Sequence, residues 1–519
     1  MKTLLVIFLF VLVSPETPAQ PFDPTRLSPA VQPLFQRIDL TVDPRLDSYT
    51  GEVAIDLTTT SPADSIRLHG EGFQVTRADD VDDYVRAQMQ KKKIPGLSLA
   101  VVREGRVVKA QGYGLASLEL QVPATAHTVY EIGSISKQFT ATVVMMLVEE
   151  GNVKLGDSIA HYLSGLPAAW KGVTIRHLLT HTSGIPDFEA VIGYDSYRNI
   201  YTNESLLGTV RDSAMDFPPG EKWNYSNTGY FLLGMLLEKV IGNPYPRIIQ
   251  ERIFKPLGMS ESRDSEPGEL IPNRAAGYAI EGKAYRNRDP MQPTACKGAG
   301  TLVSTVTDMA VWDSALYTDR LLKMSSLDTM WTPVRLNDGK TFPYGFGWFL
   351  EPWQGHKDLN HSGGTAGFTT DISRFTDDHL SVIILTNCYA RSIGRMGNTI
   401  AGLYVSALAP PVYKSIPDNE PTVTAFFRRV SETRMHADSL WDASWFTPEF
   451  WTSLKPGLSQ IREYATLQGP VISVALIERT NDGDSRRYRY RVVYKEISRL
   501  VLMILNRDGK ISEMRGEEE

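Results

Sequence analysis

Ser134-Ile135-Ser136-Lys137 sets a hydroxyl and an amine three residues apart at the mouth of the apolar run KQFTATVVMMLVEE (137–150). The run is apolar on nearly every face, which reads as a buried helix. A serine at its start meets the positive end of the helix dipole, where backbone N–H groups lack intrahelical partners. Lys137, one turn on, stands on the same face. Burial there disfavours the ammonium form and leaves an amine able to accept a proton. The competing reading is a capping serine followed by a surface lysine. A helix with almost no polar face leaves such a lysine without a surface.

Acyl transfer at this pair needs a partner for the base and donors for an oxyanion. Tyr225-Ser226-Asn227 lies between the turn Pro218-Pro219-Gly220 and an apolar helical stretch. It offers a phenol and a carboxamide in a tight loop at a helix entry. Tyr197-Arg198-Asn199 and Tyr201-Thr202-Asn203 repeat the pattern in a polar stretch without that context, so Tyr225 and Asn227 are preferred. His361-Ser362-Gly363-Gly364 sits between YGFGWFL (344–350) and GFTTDISRF, both strand-like. Its glycines permit close approach of a ligand to the strand edge, whose N–H groups can bind an oxyanion. Lys154-Leu155-Gly156 and Lys455-Pro456-Gly457 mimic a Lys-x-Gly element. The first precedes the tyrosine loop, and the second holds a proline in the C-terminal region.

His177 and His181, four apart, could share a metal on one helical face, but no third ligand is near and a structural role is expected. Cys296 lacks an identifiable base beside it and reads as a structural thiol.

The elements that must position these residues follow from pattern. VDDYVRAQMQKKK (81–93) reads as an amphipathic helix stopped by Pro95-Gly96, and LSLAVVREGRVVKAQGYG as two strands hinged at Glu104-Gly105. Helical and turn-rich segments fill about 136–330, and GFTTDISRF and LSVIILTN supply strands at the far end. Strands at both ends around a helical middle predict an antiparallel sheet flanked by helices with an inserted helical lobe, an α+β (α/β) class.

Residues 80–408 resemble the penicillin-recognising serine hydrolases: class C β-lactamases, serine DD-peptidases and family VIII carboxylesterases. The motifs stand in that family's order, Ser-x-x-Lys at 134–137, Tyr-x-Asn at 225–227 and His-x-Gly at 361–363. TIRHLLTHTSGIPDF (174–188), ERIFKPLGMSES (251–262) and GAGTLVSTVTDMAVW (298–312) match its framework. The resemblance implies Ser134 as nucleophile, its proton passing to Tyr225 or Lys137, and Asn227 orienting Lys137 and the substrate. It implies an oxyanion held by the N–H groups of Ser134 and Gly364, with His361, Ser362 and Gly363 lining the substrate site. No metal or organic cofactor is implied. The typical β-lactamase has lysine at the position of His361, which leaves a less certain positive charge for a substrate carboxylate. A D-Ala-D-Ala carboxypeptidase-like peptidase or an esterase is therefore expected ahead of a β-lactamase or a non-catalytic sensor.

Around that domain (79–409) other segments are expected. Lys2 and the apolar Leu4–Val13, followed by Thr17-Pro18-Ala19, read as a signal peptide (1–19), so the chain is expected in the periplasm or secreted, without a membrane span in the mature protein. The β-like segment 20–78 is weakly similar to the opening β domain of aminopeptidase N-type proteins. None of the nine histidines is followed by glutamate, so that family's zinc site is not carried over. Helices over 421–434 and 447–466 and strands over 471–479, 486–494, 498–506 and 510–515 predict an α+β accessory domain (410–519) loosely similar to cystatin-like or NTF2-like folds. The net charge of −6 gives no reason to expect nucleic acid. The substrate class is a small molecule or peptide, and the pairing of Cys296 with Cys388 and the oligomeric state stay open.

Overall fold

The computed structural model describes residues 31–41, 50–59 and 78–518, apart from positions 267, 283, 390–392 and 496. The chain divides into two compact units after Ala78. In the first, Val31–Thr41 pairs antiparallel with Thr50–Thr59, setting Ile38 opposite Val53. The expected signal segment and the part of the expected β-like segment after Thr59 lie outside the described residues.

In the second unit a six-stranded sheet has the order Asp358–Thr365, Phe368–Phe375, Leu380–Thr386, Gly96–Arg103, Arg106–Ser117, Val122–Pro123. Every named pairing in it is antiparallel. Leu380–Thr386 is buried along its whole length, because both faces of the sheet are covered. Leu97, Leu99 and Val101 pack with Val81, Val85 and Met89 of the helix Ala78–Lys92 and with Met396 and Ile400 of the helix Gly394–Tyr404. Ala100, Val102, Ile383 and Leu385 belong to the larger core under the helical lobe. That lobe is built around the helices Ser136–Glu149 and Asn227–Ile241. This is the β-lactamase/transpeptidase-like arrangement of antiparallel sheet and helices.

YGFGWFL departs from expectation. It is irregular backbone with isolated bridges, Tyr344 to Phe349 and Phe349 to Asn360. Gly347 turns to φ 79°, and a Cβ there would lie 3.0 Å from backbone atoms of both Lys137 and Gln138. Close passage across the nucleophile helix, rather than strand pairing, fixes this segment.

Beyond Pro421 a separate four-stranded meander comprises Val471–Asp482, Ser485–Tyr494, Ser498–Leu505 and Ile511–Glu518. Its core includes Phe427, Tyr488, Tyr490 and Met503, with Phe427 stacked on Tyr490 at 4.1 Å. The helix expected over 447–466 is two, Pro448–Leu454 and Leu458–Gln468, broken at Lys455-Pro456-Gly457. Cys296 and Cys388 are both buried and unpaired. Among the described residues no helix is long and apolar enough to cross a membrane.

Candidate active site

Ser134 sits in a single 3₁₀ turn, Gly133–Ile135, that feeds directly into the helix Ser136–Glu149. Lys137 is fully buried in the first turn of that helix. Its Nζ lies 3.0 Å from Ser134 Oγ, 2.8 Å from Asn227 Oδ1 and 2.8 Å from the Ala299 carbonyl. No carboxylate pairs with it directly. Burial holds its pKa down to about 8, against the opposing pull of Cys296, Asp187 and Glu189. An amine uses two N–H donors on the Asn227 and Ala299 oxygens, leaving its lone pair for the Ser134 hydroxyl.

Tyr225 completes the cluster. Lys137 Nζ stands 4.8 Å from its ring centroid. Ser134 is its stabilising polar neighbour, outside full hydrogen-bond geometry, so the buried hydroxyl has no fixed partner. Burial pushes this phenol well above its ordinary pKa. The loop that carries it is laced to the segment after the helix Ile175–Leu179. Asn224 N–H donates to the His181 carbonyl, Gly220 N–H to that of Thr182 and Asp216 N–H to that of Gly184. The framework stretch 174–188 therefore acts as the bed of the tyrosine loop.

Asn227 is held from behind by residues that motif spacing did not reveal. Its Nδ2 donates to Glu189 Oε2 at 2.7 Å and reaches Tyr197 Oη at 3.1 Å, while Tyr197 donates to the same Glu189 oxygen at 2.7 Å. A carboxylate can only accept, which turns the amide so that Oδ1 faces Lys137. Asp187 accepts from the backbone N–H of Asn227 and Thr228 at the entry of the helix Asn227–Ile241. Tyr197 came up in sequence as a rival of Tyr225. It lies in the site as a support for Asn227. Tyr201, the other rival, makes a backbone contact with Thr294.

The edge strand Asp358–Thr365 forms the opposite wall. Asn360 exchanges N–H and C=O bonds with Phe349 on the open side of this strand. Alternation then turns the N–H and C=O of Ser362 and Gly364 to the same open side. The nucleophile turn meets the strand backbone to backbone. Gly133 adopts φ 52°, and a Cβ on it would lie 2.7 Å from Gly364 N. A Cβ on Gly363 would lie 2.0 Å from the Ile132 carbonyl oxygen. Thr370 Oγ1 donates to that same carbonyl at 3.0 Å. A cavity of about 480 Å³ runs from Ser362, Gly363 and Gly364 past Tyr389 to Asp358 and Arg395.

His361 is held inside this wall. Its side chain is buried, its Nδ1 lies 2.7 Å from the Ser362 carbonyl and its Nε2 3.2 Å from Tyr344 Oη. Burial, with the Lys137 charge adding to it, pushes its pKa down to about 3. The imidazole is neutral and offers no charge to a substrate carboxylate. His177 and His181 do not share a face: His177 Nδ1 accepts from Thr174 N–H in a capping box, and His181 lies under Tyr225 with ring centroids 4.3 Å apart. The buried Cys296 thiol is pushed up to about 12 by desolvation, far from a thiolate nucleophile.

A serine hydroxyl and a buried lysine amine at the start of one helix, facing an open sheet edge, stand in a β-lactamase-like fold. The Beta-lactamase family model matches residues 81–401, and the chain belongs to that family; it is a serine hydrolase. The chain is 34% identical over 316 residues to penicillin-binding protein 4* of Bacillus subtilis, covering 57% of this chain and 69% of that one. A D-stereospecific amidohydrolase from Streptomyces sp. is 25% identical with a TM-score of 0.54, covering 63% of this chain and 98% of its own. The octameric penicillin-binding protein homologue from Pyrococcus abyssi shares the fold at 24% identity and TM-score 0.58, over 85% of this chain and 96% of its own.

Proposed function

We propose that the protein hydrolyses small amides or esters through an acyl-enzyme on Ser134, with Lys137 as the base. The observation that carries this is the solvation of Lys137, whose oxygen partners leave its lone pair to the serine proton. Ser134 Oγ attacks the carbonyl carbon as its proton passes to the Lys137 amine. Negative charge on the carbonyl oxygen falls to the N–H groups of Ser134 and Gly364. As the tetrahedral adduct collapses, the Tyr225 hydroxyl protonates the leaving amine or alkoxide, and the Lys137 ammonium returns a proton to Tyr225. Water then adds to the acyl carbon by the reverse assignment and releases the acid and free Ser134.

The neutral His361 favours substrates without a free carboxylate at that position, such as D-amino-acid amides or short esters. The similarity to a D-stereospecific amidohydrolase supports the amide. A carboxypeptidase-like reading is second, supported by the similarity to penicillin-binding protein 4*. The apolar opening segment supports export, to the periplasm or beyond. The test is turnover of a short nitrophenyl ester, a D-phenylalanine amide, a D-alanyl-D-alanine peptide and a chromogenic cephalosporin, with Ser134→Ala as blank. Serine-dependent turnover fastest on the ester or the D-amide is expected. Turnover retained in Ser134→Ala would sink the mechanism, and preference for the D-alanyl-D-alanine peptide would favour the second reading.

A further inference from the structure

Tyr225 presents a puzzle of support. Its hydroxyl has no fixed hydrogen-bond partner, so the position of its reactive oxygen depends on what its ring rests upon. That support is His181, and the imidazole is not isolated. Ser226 N–H donates to His181 Nδ1 at 3.1 Å, and His181 Nε2 lies 3.1 Å from Tyr344 Oη. Tyr344 Oη lies 3.2 Å from His361 Nε2, and His361 Nδ1 lies 2.7 Å from the Ser362 carbonyl. All these side chains are buried.

The two ends fix the direction of the whole chain. A backbone N–H can only donate, so His181 Nδ1 is bare and its proton sits on Nε2. A carbonyl can only accept, so His361 carries its proton on Nδ1 and leaves Nε2 bare. Tyr344 must then accept from His181 and donate to His361. Tyr230, the other phenol near Tyr344, donates to the Leu179 carbonyl at 2.9 Å, so towards Tyr344 it can only accept and cannot reverse the direction of the chain. His181 itself adopts φ 58°, a conformation that ordinary side chains seldom take, and holds it where the imidazole meets this chain.

We propose that His181, Tyr344 and His361 form one directed hydrogen-bond chain that ties the Tyr225 loop to the Ser362–Gly364 edge, with Tyr344 a positioning residue for acylation. The chain spans three pieces of sequence that the reaction needs in register: the bed at 181, the loop at 225–227 and the strand at 361–364. His181 and Tyr344 act through the placement of Tyr225 and of the edge. The proposal rests on the acyl-enzyme reading.

The first measurement is the tautomeric state of the histidines in the folded protein, by nitrogen-15 NMR at pH 7. His181 is expected as the Nε2–H form and His361 as the Nδ1–H form. An imidazolium, or His361 as the Nε2–H form, would overturn the chain. The second is Tyr344→Phe, which keeps the ring and removes both hydroxyl bonds. Misplacement of reacting groups costs up to about a hundredfold, so kcat on the ester is expected to fall about ten- to a hundredfold while KM stays within about twofold. Unchanged kcat in a folded Tyr344→Phe protein would overturn the positioning role. Should Tyr344→Phe not fold, the tautomers decide. Failure of wild-type Ser134 to react with a fluorophosphonate would instead defeat the hydrolase reading and leave the tautomers to judge the chain by themselves.

Discussion

Among the described residues of the larger unit, Arg374 and Lys137 are fully buried, and the protein treats them in opposite ways. Arg374 is ion-paired to Asp313 at 2.5 Å, and its guanidinium lies 4.7–5.5 Å from the ring centroids of Tyr317, Trp331 and Trp348. Lys137 has neutral oxygens and a serine instead. Asp187 and Glu189 act on it from a distance, and Glu189 is spent on Asn227 and Tyr197. A compensated charge can neither give up its proton nor move without leaving a buried carboxylate alone, so it serves the fold. An uncompensated amine close to its titration point serves chemistry.

The contrast can be broken at either end. Lys137→Met removes the base, and acylation is expected to slow about 10³- to 10⁴-fold, at the upper range for an acid–base group. The unfolding free energy should shift by less than about 1 kcal/mol, since lost hydrogen bonds offset a lost desolvation cost. Stopped-flow acylation and urea denaturation read the two quantities separately. Asp313→Ala should do the reverse: a loss of about 3–5 kcal/mol in unfolding free energy from an unpaired buried guanidinium, with little change in kcat of the folded fraction.

Smaller perturbations sharpen the comparison. The acylation rate of the wild type should rise with pH through about 8 as Lys137 loses its proton, because the amine is the reactive form. Glu189→Gln removes a charge that holds this pKa up, so the midpoint should move downward, by less than about one pH unit. The same change loosens the grip on Asn227 and should cut kcat about tenfold. A pH–rate series on both proteins tests the pair; an upward shift of the midpoint would contradict the electrostatic account.

The residues that meet in the candidate site were legible in the sequence because their spacing is local. Ser134 and Lys137 are one helical turn apart, and Tyr225 and Asn227 share one loop at a helix entry. The antiparallel sheet and the helical middle were legible from strand and helix periodicity. What supports the reactive groups was hidden, since Glu189, Tyr197 and Asn227 meet only in three dimensions. Asp187 ahead of the short helix Phe188–Ile192 carried a capping signal, yet nothing in its spacing pointed to Asn227. The protonation of His361 was open in the sequence for a related reason: it is set by burial and by Lys137, which no pattern around position 361 displays. YGFGWFL read as a strand, and its Gly347 instead serves a close crossing over Lys137 and Gln138.

The seam between Gly133 and the Gly363-Gly364 edge has a consequence for adaptation. Main chain meets main chain there, Gly133 against Gly364 and Gly363 against the Ile132 carbonyl, with the buried Thr370 hydroxyl bonded to that same carbonyl. Such a joint cannot be widened by gradual substitution, because the first added methyl group already collides. The rim is different: a Cβ on Gly364 would meet Tyr389 at 3.7 Å and the Tyr194 hydroxyl at 3.9 Å, ordinary contact distances with side chains that can be exchanged. Selection for new acyl groups should therefore accumulate changes at Tyr194 and Tyr389 and leave the seam untouched, so that the range of acceptable substrates drifts while the mode of attack stays fixed.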